Sequence, residues 1–237
     1  MVKNISNLKG LLVDFDGTLV DFKKAELNAF TKIMLESFIS KSKIHEINNE
    51  YIKIDHALWN LFEKQKITLP DLQHGRFRQL MEVYPEIKEN PSEINKKYLQ
   101  YLIHETYFYE NVYSSLKNLQ KSNIKVIIIT NGIDWVQKER VNKLKLNPLI
   151  NGMLTSDQVG YSKPHPAMFE KGIELLQLDK SEIWVVGDNP QADIEGASNI
   201  DLSSCLITES LSKEDNNSNP DIIVNSFPEF VKIILKN

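Results

Sequence analysis

The second half of this 237-residue chain alternates short β-branched runs with amphipathic segments. Runs of strand length are predicted at residues 125–129, 152–156, 183–186, 203–207 and 222–224, after an isolated buried strand at residues 11–13. Helices are predicted between and after them at residues 112–121, 135–146, 166–176, 192–199 and 230–235. Alternation on this scale predicts an α/β fold, in which a parallel sheet carries helices on both faces.

In residues 21–107 the spacing of apolar residues differs from that in the rest of the chain. Apolar residues recur there at three- and four-residue steps, which predicts amphipathic helices at residues 25–39, 47–64, 69–83 and 92–107. We therefore expect an α/β core domain built from residues 1–20 and 108–237, with an all-helical domain inserted at residues 21–107. Within the insertion, Trp59, Phe62 and Phe77 are expected to pack internally. For Arg76 and Arg78, which face different ways on their helix, a surface role is favoured over contact with a substrate.

Charge and cysteine content restrict the class of partner and the compartment. Asp and Glu number 32 and Lys and Arg 28, so the formal net charge is −4 and no long basic run is present. This argues against nucleic acid or an anionic membrane as the main partner. The single cysteine, Cys205, permits no intrachain disulfide and is expected to be an inert core residue. A polar N-terminus and only short apolar runs favour a cytoplasmic protein. We expect a monomer or weak dimer. The polar residues 210–220 are expected to form a surface loop.

Residues able to carry chemistry stand at or near the ends of the predicted strands. In chain order they are Asp14, Asp16, Thr130, Asn131, Gly132, Lys163, Asp188 and Asp193. Because the carboxyl ends of parallel strands meet at one edge, these residues are expected to converge there. Four carboxylates in one cleft would repel one another, and a divalent cation such as Mg²⁺, which prefers hard oxygen ligands, would relieve that conflict. Hydroxyl, amide and ammonium groups beside them are suited to holding phosphate oxygens.

Each of these residues also has a structural interpretation when it is taken singly. Asp14 and Asp16 could be ordinary strand-end acids, and Thr130 with Asn131 could simply begin a helix. Asp193 could cap a helix in addition to, or instead of, serving a site. Lys163 could be a solvated loop lysine. The ordered set, rather than any one member, favours a functional site.

Four motifs in a fixed order resemble the haloacid dehalogenase superfamily. They are Asp14-Phe15-Asp16-Gly17-Thr18, Ile129-Thr130-Asn131-Gly132, Lys163-Pro164, and Gly187-Asp188 followed by Asp193. The resemblance covers nearly the whole chain. It implies a Rossmann-like parallel sheet with helices on both faces, and it implies that the inserted helices are the cap domain of the subfamily with this insertion point.

The resemblance also implies a role for each residue. Asp14 would attack phosphorus and form an aspartyl-phosphate, and Asp16 would act as general acid and then as general base. Thr130 and Lys163 would hold phosphoryl oxygens. The remaining assignments implied are phosphate contacts from Thr18, Asn131 and Gly132, and a Mg²⁺ site formed by Asp14, the backbone carbonyl of Asp16, and Asp188, with Asp193 in support.

The activity implied is Mg²⁺-dependent hydrolysis of a small phosphomonoester. The second aspartate, Asp16, favours phosphate esters over carbon–halogen bonds, because an alkoxide leaving group needs a proton and a halide does not. Residues 130–140, 160–164 and 193–197 are similar to pyrimidine 5′-nucleotidases and N-acylneuraminate-9-phosphatase, which favours a nucleoside monophosphate or a sugar phosphate as substrate. A phosphomutase or dehalogenase on the same fold, and a non-catalytic binding protein on this scaffold, remain alternatives.

Overall fold

The computed structural model of the protein describes residues 5–208 and 219–236, which fall into two compact units. One unit comprises the described residues up to Phe22 and those from Tyr107 onward, and the other is Lys23–Thr106. The loop predicted at residues 210–220 lies outside the described residues except for its last two positions. Among the helices of the described residues, none combines the length and the apolar character needed to cross a bilayer.

The first unit is built on a six-stranded parallel sheet with the order β3-β2-β1-β4-β5-β6. The strands are β1 (Gly10–Val13), β2 (Lys125–Thr130), β3 (Gly152–Thr155), β4 (Ile183–Gly187), β5 (Ser203–Ile207) and β6 (Ile222–Val224). The first strand is central, because Leu11 pairs with Val126 of β2 on one side and with Trp184 of β4 on the other. Successive strands are added outward from β1 in both directions, so the order reverses beside β1, where open α/β sheets bind their ligands.

Both faces of the sheet are covered by helices. Leu11 and Val13 pack into one apolar cluster, whereas Leu12 packs into a second one on the opposite face. This follows from the two-residue period of a strand, which sends neighbouring side chains to opposite faces. The helices are α5 (Val112–Lys121), α6 (Asp134–Lys143), α7 (Ser156–Val159), α8 (Pro166–Leu176), α9 (Gly196–Ser198) and α10 (Phe227–Ile234). The predicted α/β fold class is therefore confirmed.

Several element ends differ from the sequence-based bounds for identifiable reasons. The strand β2 includes Thr130, because Thr130 continues the pairing with β3 through Thr155. The helix α10 begins at Phe227 rather than at residue 230, since the Ser226 hydroxyl accepts a hydrogen bond from the Glu229 amide and caps it. The single helix expected at residues 192–199 is instead a π-helix (Pro190–Glu195) followed by α9, and the Asn189 side chain caps it from outside.

The second unit is helical, as its periodicity predicts. Its helices are α1 (Phe22–Glu36), whose first residue belongs to the other unit, α2 (Lys41–Glu63), α3 (Leu69–Val83) and α4 (Pro91–His104). The start of α3 agrees with the sequence, because Thr68 and Asp71 exchange hydrogen bonds in a capping box. Tyr51, Phe77 and Tyr98 pack together in the interior with ring centroids 5.2–5.5 Å apart; Tyr51 stacks on Phe77, and Tyr98 meets both rings edge to face.

Arg76 does not lie on the surface, so that expectation was wrong. Its side chain is buried in the helical unit, where Nε donates to Asn95 Oδ1 at 2.7 Å and Nη1 donates to Asp55 Oδ1 at 3.2 Å. The guanidinium also lies 5.1 Å from the centroid of the Tyr98 ring. Burial raises the pKa of Asp55 although Arg76 opposes the rise, so the two side chains depend on each other for compensation.

Replacing Arg76 by Met should lower the free energy of unfolding by about 3–5 kcal/mol, because the Asp55 carboxylate would stay buried without its cation. Denaturant titration measures this change. Arg78→Met is the matched control, since Arg78 is exposed on the same helix and should change stability by no more than about 0.5 kcal/mol. The double variant Asp55→Leu/Arg76→Met should recover most of the loss. Equal effects of the two single arginine variants would contradict this description of the ion pair.

Candidate active site

Three neighbouring strands deliver polar residues to the same edge of the sheet. Asp14 directly follows β1, and its amide donates to the Val186 carbonyl at 2.8 Å, which extends the ladder between β1 and β4 by one bond. Thr130 is the last residue of β2, and Asp188 directly follows β4. Because β1 lies between β2 and β4, these residues reach one edge without any long connection.

A buried lysine joins two of the acids. Lys163 Nζ donates to Asp14 Oδ1 at 2.6 Å and to Asp193 Oδ1 at 2.7 Å, and all three side chains are buried. The second oxygen of Asp193 accepts the Asn189 amide at 3.1 Å, so both of its oxygens are engaged. Asp193 therefore anchors Lys163 and also the turn that follows β4.

Asp188 completes a group of three carboxylates. One carboxylate oxygen from each of Asp14, Asp188 and Asp193 lies within 4.8 Å of the others. Asp188 is exposed as a whole residue, but its carboxylate lies against the backbone of Gly17 and is partly shielded from water there. A Cβ on Gly17 would stand 2.1 Å from Asp188 Oδ2, and the φ of Gly17 is +86°, so glycine is required at this turn.

The charges of this group are strongly coupled. Burial raises the pKa of Asp14; Lys163 opposes the rise, and Asp193 and Asp188 add to it. Loss of hydration and the charge of Asp193 raise the pKa of Asp188 to about 7. Burial by itself disfavours the ammonium of Lys163, but the charges of Asp14 and Asp193 outweigh it and raise the pKa of the lysine. If all three carboxyl groups were ionised, their negative charge would exceed the single positive charge of Lys163, and the raised pKa values of Asp14 and Asp188 express the cost of that state.

This arrangement fits a divalent cation. Asp14 Oδ1 is bonded to Lys163, whereas Asp14 Oδ2 is buried and has no hydrogen-bond partner among the described residues. A cation near Oδ2 and Asp188 would compensate the excess negative charge and satisfy the orphaned oxygen. Carboxylate oxygens are hard ligands of the kind that Mg²⁺ prefers.

Asp16 lies apart from that cluster and has different partners. Its Oδ2 accepts from Gln137 Nε2 at 2.7 Å, and its Oδ1 lies 2.7 Å from Arg140 Nη2. Neither Gln137 nor Arg140 was among the predicted catalytic, phosphate-binding or metal-binding residues, although the place of Gln137 after the turn at Thr130 put it near the cleft. Their three-residue spacing on α6, directly after the turn at Thr130, is the signal that could have found them, since residues at i and i+3 share a helix face.

The hydroxyl of Thr130 is oriented by two donors. Its oxygen accepts from the Gly132 amide at 3.1 Å and from Gln137 Nε2 at 2.8 Å. A hydroxyl has two acceptor positions and one hydrogen, so the hydrogen is what remains for another acceptor. Thr130 is therefore arranged as a donor, whereas the Gly132 amide, which was predicted to contact phosphate, is already used within the turn.

Asn131 has a positioning role that the sequence did not reveal. Its Oδ1 accepts the Lys163 amide at 2.7 Å, and its Nδ2 donates to the Lys163 carbonyl at 3.0 Å. These bonds tie the loop that carries Lys163 to the end of β2. Thr18 is buried, and its hydroxyl has no hydrogen-bond partner among the described residues, so its assignment to phosphate stays a prediction.

Carboxylates and a lysine lie at the carboxyl ends of the central strands, where open α/β sheets of enzymes bind their substrates and cofactors. The chain belongs to the haloacid dehalogenase-like hydrolase family, whose profile matches residues 11–207. The sequence-based identification of the family and of a hydrolytic enzyme is thereby confirmed.

Similar curated proteins and a similar solved structure match the chain over about four fifths of its length or more. Pyrimidine 5′-nucleotidase PynA of Streptococcus pneumoniae is 27% identical over 230 residues, which are 97% of this chain and 96% of that one. Pyrimidine 5′-nucleotidase YjjG of Escherichia coli is 26% identical over 189 residues, or 79% and 82% of the two chains. The magnesium-bound crystal structure of YfnB from Bacillus subtilis has a TM-score of 0.85 at 24% identity, with coverage of 96% and 99%, and therefore shares the fold.

Replacing Asn131 by Ala should lower the free energy of unfolding by about 1–3 kcal/mol, because the backbone of Lys163 would lose both of its partners. Chemical denaturation measures the loss. Asn142→Ala, at an exposed position of α6, is the control and should stay within about 0.5 kcal/mol of the parent. An Asn131→Ala protein as stable as the control would show that these two bonds do not hold the loop.

Proposed function

We propose that the protein is a Mg²⁺-dependent phosphatase that hydrolyses a small phosphomonoester through an aspartyl-phosphate on Asp14. The observation that carries the proposal is the state of the Asp14 carboxylate. One oxygen is held by Lys163 and the other is buried without a partner among the described residues, beside a cluster of acids. A carboxylate that Lys163 orients at one oxygen, and that a cation would orient at the other, is held in a fixed position for nucleophilic attack on phosphorus.

The chain's own residues supply the parts of a two-step transfer. In the first step an Asp14 oxygen bonds to phosphorus, the bond from phosphorus to the ester oxygen breaks, and Asp16 gives its proton to that oxygen. In the second step a water attacks phosphorus, Asp16 takes a proton from the water, and the bond from phosphorus to Asp14 breaks. The oriented Thr130 hydroxyl and the Lys163 ammonium hold phosphoryl oxygens, since phosphoryl transfer depends mainly on positioning and charge neutralisation.

The metal belongs to this proposal as well. Asp14, the carbonyl of Asp16, and Asp188 would hold Mg²⁺, with Asp193 in support through Lys163. When bound, the ion supplies charge neutralisation at the phosphoryl oxygens. A protein of the same fold, YfnB, has been crystallised bound to magnesium, which makes Mg²⁺ the first cation to test.

Two relatives suggest the substrate class to test first. Both PynA and YjjG are named pyrimidine 5′-nucleotidases, which favours nucleoside monophosphates, with sugar phosphates as the next class. The domain assignment, with a catalytic core from residues 1–20 and 108–237 and a substrate-selecting cap at residues 21–107, is part of the same proposal. Free phosphate would accumulate with a phosphatase, whereas a phosphomutase would return the phosphoryl group to its product.

Replacing Asp14 by Asn should lower phosphate release from nucleoside monophosphates by at least about 10³-fold, because an amide cannot replace the carboxylate nucleophile. Phosphate release with Mg²⁺ present is the measurement, and the melting temperature checks that the variant is folded. The control is Asp179→Asn, an exposed aspartate, which should retain turnover. A folded Asp14→Asn protein with parental activity would exclude the proposed nucleophile.

Mg²⁺ should raise the melting temperature more at pH 8 than at pH 5.5. The pKa of Asp188 is raised to about 7 from 3.8, so between these values the folded protein holds a proton that the unfolded chain does not. The contribution of Asp188 to stability without added metal therefore falls as the pH rises from about 4 to about 7, and a cation that replaces this proton stabilises most above pH 7.

Thermal unfolding with and without EDTA measures this effect, and a saturating cation should add several degrees. Asp188→Asn should abolish the Mg²⁺-dependent shift, whereas Asp179→Asn should preserve it. A shift of the same size at both pH values, or one that survives Asp188→Asn, would contradict the assignment of the cation to this cluster.

A further inference from the structure

The α6 helix carries a buried pair of side chains that together enclose the Asp16 carboxylate. Gln137 and Arg140 are each about 1% exposed and lie one turn apart on the same face. Gln137 Nε2 donates to Asp16 Oδ2 at 2.7 Å, and Arg140 Nη2 lies 2.7 Å from Asp16 Oδ1. Each carboxylate oxygen of Asp16 therefore has its own partner on α6.

The amide of Gln137 has one orientation that uses all of these contacts. Its Oε1 accepts from Arg140 Nη1 at 2.6 Å, so its Nε2 must face Asp16 and Thr130. The two hydrogens of Nε2 then go to Asp16 Oδ2 at 2.7 Å and to Thr130 Oγ1 at 2.8 Å. One amide thus links the residue proposed to move the proton to the residue proposed to hold the phosphoryl group.

The surroundings keep both side chains in place. The Arg140 guanidinium lies 4.9 Å from the centroid of the Phe15 ring and 5.6 Å from that of Phe22. Gly132 leaves the space that Gln137 occupies, since a Cβ at position 132 would lie 2.2 Å from Gln137 Nε2. Gln137 and Arg140 are buried, bonded to each other and in contact with Asp16, and the arginine lies near two aromatic rings, so the pair is a rigid support for another side chain.

We propose that Gln137 and Arg140 are positioning residues that hold the Asp16 carboxyl group where it can transfer a proton to and from the reacting oxygens. The inference rests on the proposed phosphatase function and adds to it a support that acts through Asp16. It assigns to Arg140 the support of Asp16, and to Gln137 the support of Asp16 together with a share in orienting Thr130, whose hydroxyl keeps the Gly132 amide as a second donor.

The chemistry predicts which substrates depend on this support. As phosphorus is transferred to Asp14, the breaking ester bond leaves a charge on its oxygen, and the proton of Asp16 neutralises it. An alkoxide needs this proton, whereas p-nitrophenolate is a stable anion and leaves without it. Misplacing Asp16 should therefore slow the first step for an alkyl ester and spare it for a p-nitrophenyl ester.

The test compares Gln137→Met with the parent enzyme on glycerol 2-phosphate and p-nitrophenyl phosphate, with rapid quench to isolate the first step. Formation of the phosphoenzyme from glycerol 2-phosphate should slow by about 10²–10³-fold, with KM changed less than about threefold. Release of the first equivalent of p-nitrophenolate should slow by less than about tenfold. The steady-state rate of p-nitrophenyl phosphate hydrolysis should fall further than this first step, because the second step still needs Asp16 as a base.

Four further variants separate positioning from general damage. Lys138→Met, at an exposed site on the same helix, should hydrolyse both esters at the parental rate. Gly132→Ala displaces Gln137 without removing it and should reproduce the selective loss with the alkyl ester. Arg140→Lys keeps a buried cation, so its rate of phosphoenzyme formation from the alkyl ester should fall less than that of Arg140→Met. Melting temperatures identify any variant that fails to fold.

Equal loss on both esters in folded Gln137→Met and Gly132→Ala proteins would overturn the inference, since damage to the fold or to phosphate binding does not depend on the leaving group. Failure of the underlying function gives a different result. In that case the parent enzyme would form no phosphoenzyme from either ester and Asp14→Asn would change nothing.

Discussion

The ammonium of Lys163 is the group on which the rest of the site depends. It bonds to Asp14 and Asp193, two acids that would otherwise repel each other in a buried position. Buried charges are tolerated only when they are paired, so the lysine permits the sheet to end its central strands in carboxylates. The lysine is itself held by Asn131, whose side chain ties the backbone of its loop to the end of β2. Ion pairs of the Lys163 side chain and hydrogen bonds of its backbone thus connect the central strands to the lysine loop.

A second layer of the site comes from α6, and small residues make room for both layers. Gln137 connects Asp16 with Thr130, so the orientation of two reacting groups is set by one amide. Gly132 leaves space for that amide, and Gly187 likewise leaves space for the Asp193 carboxylate, which a Cβ would approach to about 2.1 Å. Missing side chains are therefore as important to the geometry as the charged ones, because they let polar groups approach the backbone closely.

Sequence reasoning succeeded where the signal is local. The helices at residues 69–83 and 166–176 have the bounds expected from apolar periodicity and proline position, because both signals act within a few residues. It failed where a polar side chain finds its partner on another element. Arg76 reads as a surface residue because a charged side chain is usually solvated, yet Asp55 on the neighbouring helix and Asn95 compensate its burial. The π-helix after β4 was not predicted for a different reason, since the sequence pattern of a helix does not distinguish helix types.

The sequence by itself determined the α/β class, the family, and the acids, lysine and threonine of the candidate site, since short motifs and side-chain periodicity are properties of neighbouring residues. The tertiary structure alone decided which groups touch. Asp16 meets Gln137 across 121 positions, and Asp14 meets Lys163 across 149. Such pairs have no local signature, because their distance is set by strand order and by the packing of helices on the sheet. The use of Gln137, Arg140 and Asn131 as supports therefore became visible only in the folded chain.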